Sequence, residues 1–472
     1  MSDMDMPVGI AALLAALPMA DSAVLIGDGI PLASLPGKAQ AIDVATVEGQ
    51  AIAAPRGGLA VTVRLHDRID PLTLFERVGG WLEVGGHWLV WDRFWDAGHA
   101  DAPETSYRQE DCLAFAKRMG LALVEQAEAM PPVGGVTEDG AAWRWFLFKK
   151  EKEPIYSIGW ARRSDEAELL RLFEVAFGHV MDPARWRWKY RHMERPGTVV
   201  RKAGAIVAFY GGMSRPIRFF GEPAWAVQIG DVMVHPEERG RFLARTGPFF
   251  LSTTTFLERS IGFGRRYLLG FGFPSRNHMR LAEKLRLYDE ADRVMEIAWS
   301  SAGYGRVWWL ACDEYVPERD TGLVERGWRE MAADYRDAII AVRDADHIRE
   351  RYLQHPEWRY RVLRVRNRLL GRHYGLIVLR EREADCQLVD ILAPCRYHAA
   401  LIRAARAVAH AAGKAQLSMW LTASFAAELA GKTGGGLRDT DISIPANTWT
   451  PHPPTEGIRG KWWLTAGDAD FT

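Results

Sequence analysis

Residues 228–241 carry the densest chemical signal in the chain. An apolar, strand-like run through Val232, Met233 and Val234 meets a turn marked by His235-Pro236, and Arg239-Gly240-Arg241 leads into a new segment. A strand, a loop and a helix start in that order can hold an anionic phosphate, because backbone N–H groups converge there and arginines add charge-assisted hydrogen bonds. Arg239, Arg241 and Arg245 are the candidate arginines. Asp231 lies on the strand itself, where a partly desolvated carboxylate would have a raised pKa suited to general-base work. Two blander readings stay open: a surface hairpin with solvated arginines, and an Asp231 that bonds a neighbouring loop. His235 and His278 are secondary candidates that also suit the surface.

The elements needed to position these groups can be read around them. Helical spacing covers 165–177, followed by the aromatic and basic run Trp186-Arg187-Trp188-Lys189-Tyr190. Strands are predicted over 198–200, 205–210, 224–234 and 267–271. After Gly272-Phe273-Pro274-Ser275-Arg276-Asn277 a helix is predicted over 279–285. This order and the Val234-His235-Pro236 to Arg239-Gly240 motif closely resemble the GNAT acyltransferase family over the whole of 155–300. The Gly-Phe-Pro turn and Lys284-Leu285-Arg286-Leu287-Tyr288 resemble a bacterial subgroup often associated with surface-polysaccharide genes.

The resemblance implies acetyl-CoA or another acyl-CoA as co-substrate. It places cofactor contacts at Val232, Met233, Val234, Arg239, Gly240, Arg241, Ala244 and Asn277, with Asp231 as the catalytic base. Acyl transfer from a thioester to an amine needs a held diphosphate, a deprotonated ammonium and a stabilised oxyanion. Trp186, Trp188 and Tyr190 are candidates to line an acceptor groove, against the alternative that they are core aromatics of an amphipathic helix. Two departures stand out: Phe242 replaces the loop's second glycine, where close backbone approach favours glycine. Ala282 aligns with the tyrosine that usually protonates the leaving thiolate.

Upstream, strands predicted over 24–26, 41–45 and 59–63, a helix over 72–81, a Gly85-Gly86 turn and a strand over 87–91 imply a parallel α/β sheet. Asp70-Pro71-Leu72 and Leu82-Glu83-Val84-Gly85-Gly86-His87 resemble a class I S-adenosylmethionine-dependent methyltransferase. Ile26-Gly27-Asp28-Gly29 stands at the family's Gly-rich cofactor loop and Asp43 at its ribose-binding acid. Pro31 and Pro36 interrupt the helix that should follow the loop, so the reading is a shrunken Rossmann-like domain over 1–150 that does not bind S-adenosylmethionine.

Downstream, the chain echoes itself. Arg187 to Tyr190 has a counterpart in Arg349-Glu350-Arg351-Tyr352, and Gln228 with Asp231 to Pro236 has one in Gln387 with Asp390 to Pro394, at nearly the same offset. Two echoes in register predict duplication, with a second, degenerate GNAT-like domain over 304–472. That copy has strands over 375–380, 386–393 and 416–422 and a helix over 399–412. No Arg-Gly loop follows Pro394. The ending from Trp462-Trp463 to Asp470 is also similar to the subgroup.

With 472 residues, 48% hydrophobic and 25% charged residues and no formal net charge, the chain reads as a multidomain folded protein, and nothing marks it as a nucleic-acid binder. The four cysteines lack metal-ligand spacing and fit a reducing compartment. The apolar run 10–17 lacks a basic flank and reads as a short helix, and no run reaches membrane-spanning length. Most of the nineteen tryptophans are expected in the core, with a ligand groove as the alternative. The expectation is therefore an α/β and α+β chain: a methyltransferase-type domain, then two GNAT-like mixed-sheet domains. It would be a cytoplasmic acyl-CoA-dependent N-acyltransferase acting on a small-molecule amine such as an amino sugar. The alternatives are a non-catalytic ligand- or partner-binding protein of the same fold and, behind it, an active methyltransferase.

Overall fold

The computed structural model describes residues 8–17, 22–27, 35, 38–49, 56–66, 68–95, 106–129, 141–241, 244–305 and 307–470. The chain forms two compact units: Met1–Gly178 with Arg195–Tyr210 and Val232–Arg266, and His179–Glu194 with Gly211–Asp231 and Tyr267–Thr472.

The first unit begins with α1 (Val8–Ala16), β1 (Ser22–Gly27), β2 (Lys38–Ile42), α2 (Val44–Gly49), β3 (Gly57–Val63), α3 (Pro71–Trp81), β4 (Leu82–Trp95), β5 (Tyr107–Arg108), α4 (Gln109–Arg118), β6 (Leu121–Glu128) and β7 (Ala141–Lys150). Their sheet runs β2-β1-β3-β4-β7-β6, with β5 beside β4. The sequence sets α3 locally: Asp70 accepts from the Thr73 N–H and Pro71 occupies the first turn, where a missing N–H costs no helical bond. The first four strands are parallel, as expected, but β7 is antiparallel to both β4 and β6, so the sheet is mixed. Two further corrections concern edges. The strand expected over 41–45 ends at Ile42, because Val44 already begins α2. Gly85-Gly86 makes no turn; both stay in β4, with Gly85 at φ 90° and a register shift opposite Gly57/Leu59, so the glycines absorb a bulge. Pro31, Pro36 and the Asp28-Gly29 end of the Gly-rich loop lie outside the described residues.

The same unit continues through β8 (Ser157–Trp160) and α5 (Glu166–Phe177); α6 (Pro183–Tyr190) belongs to the second unit, and β9 (Gly197–Lys202) returns to the first. The long strands β10 (Ala205–Phe219) and β11 (Glu222–Val234) pass through both units, and α7 (Pro248–Ser260) closes the first. Buried ions knit this unit: Arg259 donates to Asp70 at 2.9 Å and to Asp111 at 3.2 Å, and Arg265 to Asp111 at 2.8 Å. Asp70, read from sequence as part of a methyltransferase-like pattern, thus caps α3 and anchors Arg259.

The second unit contains β12 (Leu269–Gly272), α8 (Arg276–Lys284), β13 (Tyr288–Ser300), β14 (Leu310–Glu314), α9 (Pro317–Asp334), β15 (Ile339–Ala341) and α10 (Ala345–Ile348), which a π-helical turn extends over Arg349–Leu353. Then come β16 (Arg361–Asn367), β17 (His373–Glu381), β18 (Cys386–Leu392), α11 (His398–Ala411), β19 (Gln416–Thr422), α12 (Ala423–Thr433), β20 (Gly436–Asn447), α13 (Thr455–Ile458) and β21 (Trp462–Trp463). Within this unit, β12, β11, β10, β15 and β21 form one sheet in that order, and β14-β16-β17-β18-β19-β13-β20 form another. β13 therefore lies between β19 and β20, while β15 and β21 extend the sheet of β10 to β12. Trp88, Trp91, Trp299, Trp462 and Trp463 are fully buried, which is the core-filling role expected of most tryptophans.

In both sheets of this unit a parallel ladder is short. β11 and β12 are in register from Ala226↔Leu269 to Ile229↔Gly272, leaving Gly230 and Asp231 beyond the last pair. β18 and β19 pair only at Cys386↔Leu417 and Gln387↔Ser418. The C-terminal segment then lies against β19: Leu421 bridges Thr465, and the Thr422 N–H donates to Leu464 O at 3.2 Å.

Candidate functional site

The sequence-predicted residues fall in both units, and each group has its own surroundings. In the second unit, α6 is started by Asp182, which accepts from the Ala184 N–H at 2.7 Å, and by Pro183. Spacing of four places Trp186 and Tyr190 on one buried face, with ring centroids 4.5 Å apart. Lys189 is buried beside them, its side chain 1% exposed.

Asp231 adopts φ 51°, a left-handed conformation uncommon for a residue other than glycine. Its Oδ1 accepts from Lys189 Nζ at 2.7 Å and its Oδ2 from the Tyr190 hydroxyl at 2.8 Å. Lys189 also pairs with Asp470 at 2.5 Å. Gln228, fully buried, donates to Asp470 at 3.1 Å and accepts from Arg215 Nη2 at 2.7 Å. Two carboxylates and two cations thus balance inside this unit. Burial opposes the Lys189 charge, but Asp231 and Asp470 outweigh it and raise the Lys189 pKa. Burial likewise disfavours the Asp470 carboxylate, yet Lys189 holds its pKa below the usual value. Burial, then Asp231, push Tyr190 well above the normal phenol range. Burial brings Arg215 down to about 10. An Asp231 with both oxygens engaged and a Tyr190 whose proton already points to it make a closed network.

The second echo builds the same contact. Tyr352 donates to Asp390 Oδ2 at 2.7 Å, and Arg343 Nε to the same carboxylate at 3.0 Å. Arg343 also pairs with Asp468 at 2.6 Å, and Thr465 donates to Asp390 at 3.1 Å. Each echoed Tyr–Asp pair is therefore brought together, with a neighbouring cation and an acid from the last residues of the chain. Sequence reasoning singled out neither Lys189 as a partner of Asp231 nor Asp470. The available signal was that Lys189-Tyr190 and Arg351-Tyr352 recur at nearly the same offset as the two aspartates.

Trp188 is held on several sides. Its indole N–H donates to Glu350 O at 2.9 Å, and its ring lies 4.4 Å from His355 and 5.1 and 5.5 Å from the Arg191 and Arg351 guanidiniums. Trp186 and Tyr190 are 4% and 6% exposed and sit in the core layer of α6, whereas Trp188 is half-buried. Asn277 is exposed on the first turn of α8, capped by Ser275, whose hydroxyl is also 3.0 Å from His278 Nδ1. Ala282 is buried on the same helix.

In the first unit, Val232 is half-buried while Met233 and Val234 are buried at the end of β11. A 3-10 helix over Pro236–Arg241 follows. Arg239 turns onto backbone, donating to Ala176 O at 2.7 Å and Val234 O at 3.4 Å, which satisfies a carbonyl in the last turn of α5. Glu238 accepts from Lys202 at 2.6 Å and from Tyr156. His235 Nδ1 is 4.0 Å from Glu237. The Ala244 N–H bonds Arg241 O, the Gly247 N–H bonds Ala244 O, and α7 starts only at Pro248. Proline there removes one N–H that a helix start would offer a phosphate. The Arg245 guanidinium lies 5.9 Å over the Phe250 ring. Phe242 lies outside the described residues. Asp43, between β2 and α2, is exposed.

Among the described residues no group of three His, Cys, Asp or Glu is placed to hold a metal ion, and no helix is long and apolar enough to cross a membrane.

No curated protein matches the chain in sequence. Among solved structures, a conserved protein of unknown function from Enterococcus faecalis V583 aligns over 62% of this chain and 73% of its own, with 11% identity and a TM-score of 0.49. GCN5-related N-acetyltransferases from Anabaena variabilis and Kribbella flavida align over 62% of this chain and 73% and 69% of theirs, at 12% and 16% identity with TM-scores of 0.48 and 0.45. The acetyltransferase (GNAT) domain family matches residues 158–246, which span β8 to the loop after β11. Within its mixed α/β fold, the chain therefore contains a GNAT acetyltransferase domain at residues 158–246.

Proposed function

We propose that the protein is an acyl-CoA-dependent N-acyltransferase that uses acetyl-CoA or a longer acyl-CoA and acts on an amine of a small molecule, with an amino sugar as the favoured class. The observation that carries this reading is the end of the β11/β12 ladder at Ile229↔Gly272, inside the family match for β11, with Asp231 strained just beyond it. The β12 side of β11 beyond that last pair suits the extended, amide-bearing arm of CoA, and strained residues favour functional sites. Arg245 is the favoured phosphate contact, because Arg239 is engaged by α5. Asp231 acts as a positioning carboxylate, since Lys189 and Tyr190 already occupy it, and the acceptor's proton leaves to solvent.

Several features support reading the chain as a tandem of GNAT-like halves. Apart from the inserted β15, the element order from β8 through β13 recurs from β14 through β20, and the Tyr–Asp contact recurs with it. The four parallel strands β2-β1-β3-β4 support a reduced Rossmann-like N-terminal domain. A second reading, a non-catalytic ligand-binding protein, is favoured by the closed bonding of Arg239 and Asp231. Release of free thiol from acetyl-CoA in the presence of a panel of amino sugars and amines separates the two. Turnover with any acceptor upholds the enzyme; CoA binding with no thiol release across the panel favours the binding protein.

A further inference from the structure

A pocket of about 390 Å3 opens in the first unit at the amino edge of the N-terminal sheet. Arg56 stands just before β3 and Trp81 closes α3, so the pocket is on the opposite edge from the carboxyl ends where Rossmann-type sheets hold their nucleotides. It is therefore not the cofactor crevice that the methyltransferase resemblance implies. Its volume is in the range of small-molecule sites.

The charges around it do not balance. Arg56 and Lys150 share Glu153, Lys150 at 2.8 Å, and both also donate to Leu82 O, at 3.0 and 2.8 Å. Arg162 and Arg201 share Glu76, at 2.5 and 3.5 Å, and Arg201 also pairs with Asp165 at 2.8 Å. Arg77 is the fifth cation, and its neighbour Glu76 is already taken. The Arg77 Nε is shut off from solvent and makes no hydrogen bond among the described residues. Among the residues that line the pocket, Arg56, Arg77 and Arg201 against Glu76 and Glu153 leave an excess of one positive charge, and the remaining wall includes Trp81, Met119 and Ile155. A buried guanidinium nitrogen without a partner is costly, and burial followed by the charge of Arg162 lowers the Arg77 pKa.

We propose that this pocket binds a small organic anion, its carboxylate or phosphate gripped by Arg77 and its apolar body laid against Trp81, Met119 and Ile155. The guanidinium fork matches two oxygens of either head group. The proposal is independent of the acyltransferase reading.

Calorimetric titration of the full-length protein with phenyl phosphate, benzoate, inorganic phosphate and neutral benzamide tests it. Phenyl phosphate or benzoate should bind with one-to-one stoichiometry, the tighter of the two naming the head group; benzamide should not bind. Arg77→Ala should weaken that binding at least about tenfold, the loss of one charge-assisted hydrogen bond. The ligand-free unfolding midpoint should not fall, because the substitution relieves repulsion from Arg162 and Arg201. Gly80 borders the pocket, and a side chain there would meet open space, so Gly80→Phe should cut binding while leaving every charge in place. The proposal is overturned if the wild type binds neither organic anion at millimolar concentration, or if Arg77→Ala binds as the wild type does. It is also overturned if benzamide matches benzoate, or inorganic phosphate matches phenyl phosphate.

Discussion

Lys189→Met probes the polar centre of the second unit most sharply. The substitution keeps the length of the side chain and removes the one ammonium shared by Asp231 and Asp470, whose side chains are 7% and 9% exposed. Removing one partner of a buried ion pair costs about 3–5 kcal/mol at neutral pH, because the partner charge is left in low dielectric. Here two carboxylates are left facing each other. In the wild type the Asp470 carboxyl is more acidic folded than unfolded. Its stabilisation is in place above the unfolded value of about 3.9 and is lost as pH falls through the lower folded value. Lys189 is shifted upward, so its contribution is in place below about 10.4 and is lost as pH rises through the folded value. Without the ammonium, burial raises the carboxyl pKa instead, and the sign reverses. The variant's deficit should be largest near pH 7 and shrink as pH falls and a carboxyl takes up a proton. Hydrogen exchange in urea, read on peptides from α6 and β11, isolates this unit from the other. Adding Asp470→Asn should recover part of the loss. A variant as stable as the wild type at pH 7, or a deficit that does not change with pH, would refute the reasoning.

Arg343→Met should be similarly severe, about 3–5 kcal/mol, because Asp390 and Asp468 both lose their buried cation; urea unfolding measures it. Tyr190→Phe and Tyr352→Phe should each cost about 1–3 kcal/mol by the same assay, the bond to a buried charged acceptor being lost. Arg239→Ala should cost about 1 kcal/mol or less in stability and leave CoA affinity nearly unchanged, whereas Arg245→Ala should weaken CoA binding by about tenfold in calorimetry. Truncation after Trp299 strips β13 of both its neighbours, β19 and β20, and exposes an apolar edge, so the fragment should be insoluble when expressed; a soluble monomer in gel filtration would contradict this.

What could be read from sequence follows the range of the interaction that decides it. Asp70-Pro71 announces the start of α3, and four-residue spacing puts Trp186 and Tyr190 on one face, because capping and helical periodicity act within a few residues. β19 occupies 416–422, the strand expected there. The bulge at Gly85 was misread as a turn because glycine permits both and only the pairing with β3 selects one. The mixed direction of the N-terminal sheet was missed because β6 and β7 carry no local mark of strand direction. Longer-range choices were invisible: β13 sits between β19 and β20, Lys189 meets carboxylates at 231 and 470, and Arg239 caps α5. Each depends on chain segments far apart, and in a buried network the same aspartate reads from sequence as either a base or a clasp.

The most direct test of the acyltransferase reading is calorimetric titration of the full-length protein with acetyl-CoA, beside S-adenosylmethionine as a control and with Arg245→Ala as the variant. Acetyl-CoA should bind at a single site, S-adenosylmethionine should give no heat, and Arg245→Ala should bind acetyl-CoA more weakly. Absence of any acetyl-CoA binding at millimolar concentration, or micromolar binding of S-adenosylmethionine in its place, would contradict the account.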